Sequence, residues 1–163
     1  MNYVIRQLEE RDIASVQAVA KESWHATYDG IIPLPIQDNF LNSAYSDEMM
    51  RRRMDFSNLF VVDFDKMIVG FANFSPVFDS GKVELGAIYL LPAYQGIGLG
   101  TALLTHGIDY LRGAREIYIN VEKDNDIGKR FYQSKGFEVI EEFTENFDGH
   151  ELQTIRMMLK LGK

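Results

Sequence analysis

The chain has 163 residues, of which 46% are apolar and 25% charged, so it is long enough for a hydrophobic core and we predict a single domain over residues 1–163. A net charge of −7 argues against nucleic acid as a partner, and the absence of cysteine excludes disulfides, cysteine nucleophiles and thiolate zinc sites. No apolar run approaches the ~18 residues of a membrane span, and the N-terminus lacks the basic and then apolar layout of a signal peptide, so we expect a cytoplasmic protein without a membrane partner.

The first thirty residues predict a strand, a helix and an irregular segment. Residues 3–7 alternate between apolar and polar side chains and predict the strand. Asp12 is placed to cap the helix, whose apolar face would carry Ile13, Val16, Val19, Ala20 and Trp24. Residues 24–30 are rich in aromatic and polar side chains and end in a glycine, so we expect an irregular segment there.

The next stretch predicts a second helix after a proline-containing segment. Residues 31–36 hold two prolines and predict a loop or the start of a helix. Ser46 is a good N-cap, and the acidic and basic residues that follow it suit the two ends of a helix dipole. We expect the arginine trio at residues 51–53 to be a solvated helix end.

The middle of the chain predicts three strands and a helix. Residues 59–64 and 67–74 form two strands around a short turn, and residues 76–81 form a loop. Residues 83–90 are an apolar, β-favouring strand that Pro92 ends. A helix follows over residues 101–111, with an apolar stripe of Leu103, Leu104, Ile108 and Leu111.

A glycine-rich turn joins that strand to that helix. Gly96, Gly98 and Gly100 stand at every second position, and glycines let a backbone bend sharply and approach a ligand closely. The first N–H groups of a helix attract phosphate. A plain tight connection would need only one or two glycines, so we interpret the turn as an anion site. It lacks the lysine of a P-loop and has the spacing GxGxG instead of GxGxxG, so both nucleotide interpretations are weak.

The last third predicts three strands and one helix. The strands cover residues 116–121, 137–143 and 152–161, with a turn at Asp148 and Gly149 before the last one. The helix covers residues 127–135 and ends at Gly136. Strands with interspersed helices predict an α/β, or layered α+β, fold with a largely antiparallel sheet.

Two stretches resemble the motifs of the GNAT superfamily of N-acetyltransferases. Residues 95–100, QGIGLG, match its motif A, Q/R-x-x-G-x-G/A, and residues 84–95 are also similar to the family. Residues 125–137 resemble its motif B, roughly N-x-x-A-x-x-F/L-Y-x-x-x-G-F, with Gly128 where alanine is usual. The first third of the chain matches only loosely. The resemblance implies a mixed, mostly antiparallel sheet of six to seven strands, flanked by about four helices.

The resemblance also implies acetyl-CoA as co-substrate, without a metal. Backbone amides of the glycine turn would hold the pyrophosphate of coenzyme A, and the strand edge at residues 88–90 would pair with the pantetheine arm. The expected cofactor-binding residues are Ile88, Tyr89, Leu90, Gln95, Gly96, Ile97, Gly98, Leu99, Gly100, Thr101, Asn125, Lys129 and Tyr132. The three histidines show no metal spacing, and residues 123–128 lack the ligand spacing of a calcium loop.

Two residues are candidates for proton transfer. Tyr132 matches the tyrosine that serves as general acid in much of the family; the alternative is a packed aromatic residue with a hydrogen-bonded hydroxyl. Glu84 is the candidate general base, and the period of two predicts that it shares a face with Gly86, Ile88 and Leu90. The alternative for Glu84 is a strand-end glutamate that faces solvent.

The expected acceptor is the primary amine of a small cationic metabolite such as a polyamine. Irregular segments often carry specificity, and the expected substrate-binding residues are Trp24, His25, Tyr28, Asp29 and Phe78. Trp24 and Tyr28, four residues apart, would equally continue the apolar face of the first helix. The alternatives are an acetyltransferase acting on protein N-termini or lysines, and a coenzyme A-binding module without catalysis. Dimers are common in the family, so a homodimer is an open expectation.

Overall fold

One seven-stranded sheet organises residues 2–162, the part of the chain that the computed structural model describes. The strand order is β1-β2-β3-β4-β5-β7-β6. Every neighbouring pair is antiparallel except β4 and β5, which run parallel. The strands are β1 (Tyr3–Gln7), β2 (Asn58–Phe64), β3 (Met67–Phe74), β4 (Lys82–Leu90), β5 (Glu116–Glu122), β6 (Glu138–Phe147) and β7 (His150–Lys160).

Helices cover both faces of the sheet. One face carries α1 (Ile13–Tyr28), α2 (Leu34–Ala44) and α3 (Asp47–Phe56), and the other carries α4 (Leu99–Tyr110) and α5 (Asp126–Ser134). The predicted fold class is confirmed, although the described residues form five α-helices and not about four. The additional helix is α2, which begins directly after Pro33, a position that suits a residue with a fixed φ. Between residues 2 and 162 no helix has the length and apolar character needed to cross a membrane.

The irregular segment predicted at residues 24–30 is wrong, because α1 continues to Tyr28. Trp24 and Tyr28 lie on its apolar face, and only 6% and 9% of their surfaces are exposed. Their ring centroids are 4.5 Å apart, and Trp24 also stacks on Phe40 of α2 at 4.5 Å. Burial of these aromatic rings therefore extends the helix to its glycine break.

Two polar side chains have different roles from those predicted. Asp12 stands just before α1 but does not cap it; its carboxylate accepts hydrogen bonds from Arg6 Nη1 at 2.7 Å and from the Glu9 N–H at 2.8 Å. Of the arginine trio, Arg51 and Arg52 are exposed as predicted, whereas Arg53 is only partly exposed. Its Nη1 donates to Asn73 Oδ1 at 2.7 Å, and its guanidinium lies 4.5 Å from the ring centroid of Tyr45. Both residues link a helical segment to the sheet.

The strands β4 and β5 pair over three residues and then separate. Lys82–Glu84 pair with residues 116–118, and no pairing continues beyond Glu84 and Tyr118. From there β5 pairs only with β7, up to Glu122. The edge of β4 that faces β5 is therefore unpaired from Leu85 onward, and a fork opens in the middle of the sheet.

A β-bulge at Gly86 changes the faces of β4. Opposite β3, Leu85 pairs with Phe74 and Ala87 pairs with Asn73, so Gly86 is the additional residue. Before the bulge Leu85 packs in the cluster beneath α4, whereas after it Ile88 and Leu90 do so. The predicted common face of Glu84, Ile88 and Leu90 is therefore wrong, because the bulge breaks the period of two.

Candidate active site

A cleft of about 760 Å³ occupies the fork between β4 and β5. At one end it is lined by the glycine turn and by the first residues of α5. At the other end it reaches residues 26–28, the last turn of α1. Because β4 is unpaired along this side, its backbone N–H and C=O groups are available to a ligand.

The glycine turn forms an open cradle at the start of α4. Gly96 and Gly98 have φ values of +78° and +92°, and a Cβ atom on either would meet no atom within 4 Å. A Cβ on Gly100 would lie 3.1 Å from the ring of Phe131, so α4 and α5 approach closely at this residue. The first N–H groups of α4 have no acceptor inside the helix. The turn therefore offers main-chain donors to an anion and leaves space for it.

Most of the residues predicted to bind the cofactor line this cleft. Those that do are Ile88, Tyr89, Leu90, Gln95, Gly96, Gly98, Gly100, Thr101, Asn125 and Tyr132. Three side chains point elsewhere: Ile97 is exposed, Leu99 is buried beneath α4, and Lys129 pairs with Asp126 at 3.3 Å. Gln95 Nε2 donates to the carbonyl of Leu90 at 3.2 Å and ties the turn to the end of β4.

The glycine at position 128, where motif B usually has alanine, fits the cap of α5. Asn125 Oδ1 accepts a hydrogen bond from the Gly128 N–H at 2.9 Å. A Cβ on Gly128 would lie 2.6 Å from Asn125 Nδ2. The absence of a side chain thus lets the asparagine fold tightly over the first turn of the helix.

Three tyrosine side chains meet at the inner end of the cleft. The hydroxyls of Tyr28 and Tyr89 are 3.3 Å apart, whereas the hydroxyl of Tyr132 makes no hydrogen bond to any other residue between 2 and 162. Burial raises the pKa of all three hydroxyls. Each therefore stays protonated near neutral pH and remains a hydrogen-bond donor. The hydroxyl of Tyr132 is free to donate to a ligand in the cleft.

Glu84 lies beside the cleft and is held by an arginine of β7. Arg156 donates to both carboxylate oxygens, with Nη2–Oε1 at 2.6 Å and Nη1–Oε2 at 3.0 Å, and its Nη1 also donates to Asn120 Oδ1 at 2.9 Å. The contact with Glu84 raises the pKa of Arg156. Glu84 and Gly86 border a neighbouring pocket of about 370 Å³, and Gly86 also lines the cleft. The cleft and the neighbouring pocket thus share Gly86, a residue without a side chain, as a lining residue.

Of the residues predicted to bind the acceptor, only Tyr28 lines the cleft. Trp24 is buried behind it, His25 Nε2 lies 2.8 Å from Asp38 Oδ1, and Asp29 and Phe78 are exposed outside the lining. The prediction relied on an irregular segment, and the helical extension of α1 removes that basis.

Analysis of the sequence did not identify several residues that line the cleft, among them Thr27 on α1 and Asn120 on β5. The sequence indicates Asn120 only weakly, because it stands at one of the polar positions that alternate with Ile117, Ile119 and Val121. Nothing in the sequence indicates Thr27, because only the packing of α1 across the sheet brings this residue to the cleft.

The sequence matches the model of the acetyltransferase (GNAT) family over residues 2–137. It is 30% identical over 159 residues to a spermidine N(1)-acetyltransferase of Thermoplasma acidophilum, and the alignment covers 93% of this chain and 94% of that protein. Among solved structures, PaiA N-acetyltransferase of Thermoplasma acidophilum in complex with coenzyme A has a TM-score of 0.87 at 27% identity, covering 99% of this chain and 100% of that one. The acetyltransferase YncA of Salmonella typhimurium with acetyl-CoA has a TM-score of 0.69 at 26% identity, covering 100% and 96%.

Replacing Gly98 tests the anion cradle. In Gly98→Val the new side chain would fill the space that the turn leaves open, so we expect coenzyme A affinity to fall by about 100-fold or more, as for loss of several charge-assisted hydrogen bonds. Gly113→Val is the matched control, because Gly113 also has a positive φ of +85° and open space around it but does not line the cleft. Calorimetry on the two folded variants makes the comparison, and an equal effect in both would contradict the assignment.

Proposed function

The chain belongs to the GNAT family of acetyltransferases and is an N-acetyltransferase, and from this premise we propose that it transfers the acetyl group of acetyl-CoA to the primary amine of a small cationic molecule such as a polyamine. The observation that carries the proposal is the cleft that joins an anion cradle to the hydroxyl of Tyr132, which has no hydrogen-bond partner within residues 2–162. The acceptor class is supported by the similarity to a spermidine acetyltransferase over nearly the whole of both chains. The net charge of −7 agrees with a cationic substrate.

The two ends of the cleft would hold the two parts of coenzyme A. Main-chain N–H groups from Gly96 to Thr101 bind the pyrophosphate, which the open cradle at Gly98 can accommodate. The unpaired edge of β4 at residues 88–90 forms hydrogen bonds with the pantetheine arm, as an added strand would. This arrangement delivers the thioester to the inner end of the cleft, where the tyrosines meet.

The chemistry requires two proton transfers. The amine nitrogen attacks the thioester carbonyl carbon, the C–N bond forms and the C–S bond breaks. Tyr132 donates its proton to the departing thiolate, and a base takes the proton that the amine loses. A main-chain N–H of the open β4 edge would stabilise the negative charge that develops on the carbonyl oxygen.

Glu84 is the proposed base, acting through water. Its carboxylate borders the neighbouring pocket, which shares Gly86 with the cleft, and a water relay past this residue would connect the two spaces. Arg156 holds the carboxylate in place with two hydrogen bonds. A relay through water agrees with a carboxylate that does not itself line the cleft.

The alternatives differ from the proposed function in the acceptor molecule. The family membership shows an acetyltransferase, so the expectation of a module without catalysis is not kept. An acetyltransferase acting on protein N-termini or lysines would bind the cofactor in the same way and use the same Tyr132. It would differ only in the acceptor that binds beside α1. A substrate comparison therefore separates it from the proposed function.

Tyr132→Phe removes only the hydroxyl and leaves the ring packing on Phe131 and Phe137 intact. We expect kcat to fall by about 10- to 10³-fold with little change in coenzyme A affinity, as for loss of a general acid. Pre-steady-state measurement of thiol release isolates the chemical step. Wild-type turnover in the variant, where chemistry limits the rate, would rule out the role of proton donor.

Glu84→Gln keeps the shape of the side chain and removes its charge. If Glu84 takes the proton, the acidic limb of the pH profile of kcat/KM shifts or disappears in this variant. Glu116→Gln is the control, since Glu116 is another carboxylate of the sheet, it accepts a hydrogen bond from Tyr118, and it lies outside the cleft. An unchanged profile in Glu84→Gln would mean that another group or the solvent accepts the proton.

The acceptor is identified by kcat/KM for spermidine and putrescine beside peptides with a free N-terminus or an accessible lysine. We expect the polyamines to be preferred by at least about tenfold, because a site built for a small cation gains nothing from a peptide chain. Acidic amines such as glutamate serve as the charge control. Faster acetylation of a peptide N-terminus than of any polyamine would replace the proposed function by the protein acetyltransferase alternative.

A further inference from the structure

Glu122, the last residue of β5, is a nearly buried acid without a counter-cation. Only 8% of its surface is exposed, and its Oε1 accepts a hydrogen bond from the Asp124 N–H at 2.6 Å. Between residues 2 and 162 no lysine, arginine or histidine nitrogen lies within 4.0 Å of its carboxylate. Lys123, its neighbour in sequence, pairs instead with Glu142 at 3.0 Å. Buried charges in proteins are normally paired, and the carboxylate of Glu122 is an exception because no cationic side chain within residues 2–162 pairs with it.

Glu122 and Glu84 differ in whether their carboxylates have a cationic partner. The carboxylate of Glu84 already receives two hydrogen bonds from Arg156. Glu122 receives a single hydrogen bond, from a neutral backbone N–H. Of the two carboxylates, that of Glu84 is therefore paired with a cation and that of Glu122 is not.

Glu122 lies on the α1 side of the sheet, next to the cleft, although it is not itself a lining residue. Along β5, Ile117, Ile119 and Val121 pack in the cluster beneath α4, and the register with β7 continues without a break to Glu122. The alternation therefore turns Glu122 to the opposite face, where α1 ends. Burial raises the pKa of the Tyr28 hydroxyl, and the charge of Glu122 adds to that rise. Tyr28 lines the cleft, so Glu122 lies close to its inner end.

A second acidic side chain, that of Glu145, lies beyond Glu122 on the same face of the sheet. Thr154 stands opposite Glu122 on β7 with 3% of its surface exposed, and its hydroxyl donates to Glu145 Oε1 at 2.6 Å. Directly opposite residues share one face of a sheet. Phe147, two residues beyond Glu145, stacks on Trp24 of α1 with ring centroids 6.1 Å apart. Carboxylates beside aromatic rings are the surroundings that an ammonium group prefers.

We propose that Glu122 binds a second nitrogen of the acceptor, one that stays an ammonium group and is not acetylated. Glu145, beyond Thr154, is the position for a further ammonium group. The enzyme then selects di- and polyamines over monoamines. The attacking nitrogen has to be neutral, whereas a carboxylate favours the charged form of an amine. Glu122 therefore suits the nitrogen that keeps its proton. This inference rests on the proposed function, since it names the part of the small amine that determines specificity.

The test measures amine binding to protein saturated with coenzyme A. Spermidine is titrated by calorimetry and n-butylamine, which has a single ammonium group, by NMR at high concentration. In Glu122→Gln we expect spermidine affinity to fall about 10- to 100-fold, as for loss of a hydrogen bond to a charged group, while n-butylamine binds as it does to the wild type. Glu138→Gln, an exposed change of the same charge at the start of β6, is the matched control and should bind both amines normally.

Three results would overturn the inference: unchanged spermidine affinity in Glu122→Gln, an equal loss for both amines, or no binding of spermidine to the wild type. If the glutamine variant does not fold, Glu122→Asp withdraws the carboxylate by one methylene group, and the same loss confined to spermidine is expected. Acetyl transfer is measured in parallel. A wild type that binds spermidine through Glu122 yet acetylates no amine would contradict the proposed function and leave the binding role of Glu122 intact.

Discussion

The short parallel contact between β4 and β5 is the constraint on which the site depends. Only three residue pairs, from Lys82 and Glu116 to Glu84 and Tyr118, hold the two halves of the sheet together at this point. The separation that follows creates the cleft, frees one edge of β4 and places the start of α4 and the last turn of α1 at its two ends. Arg156 reaches across the fork from β7 to Asn120 and Glu84, so an ion pair bridges the strands where they part.

Local patterns in the sequence were sufficient to predict the strand, glycine turn and helix that form one end of the cleft. The glycine spacing, the strand before it and the helix after it lie in one continuous segment, and their geometry follows from short-range backbone preferences. Most strands could be predicted for the same reason, since they show alternation or an apolar run, whereas the mixed, mostly antiparallel sheet, which is confirmed, was implied by the resemblance to the GNAT superfamily. The faces of β4 could not be predicted, because the bulge at Gly86 is defined by its register with β3.

The α1 end of the cleft depends on contacts between distant segments, and the irregular segment predicted there is wrong. Trp24 and Tyr28 were expected in an irregular binding segment, but stacking against Phe40 and Phe147 keeps them in the core and on the helix. Glu122 was not singled out, because a glutamate at the end of a strand is usually solvated. Its burial depends on neighbours that are distant in the sequence, among them Thr154 opposite it on β7, and no local pattern predicts them.

The two ends of the cleft are made of different parts of the polypeptide, and this has an evolutionary consequence. The proposed anion cradle consists of main-chain donors at glycines, so mutation of neighbouring side chains leaves its donors in place. The opposite end consists of side chains on α1, β5 and β7, and each can change without disturbing the glycine turn. Substrate range can therefore drift among descendants of such a protein while use of the same acyl donor is inherited unchanged.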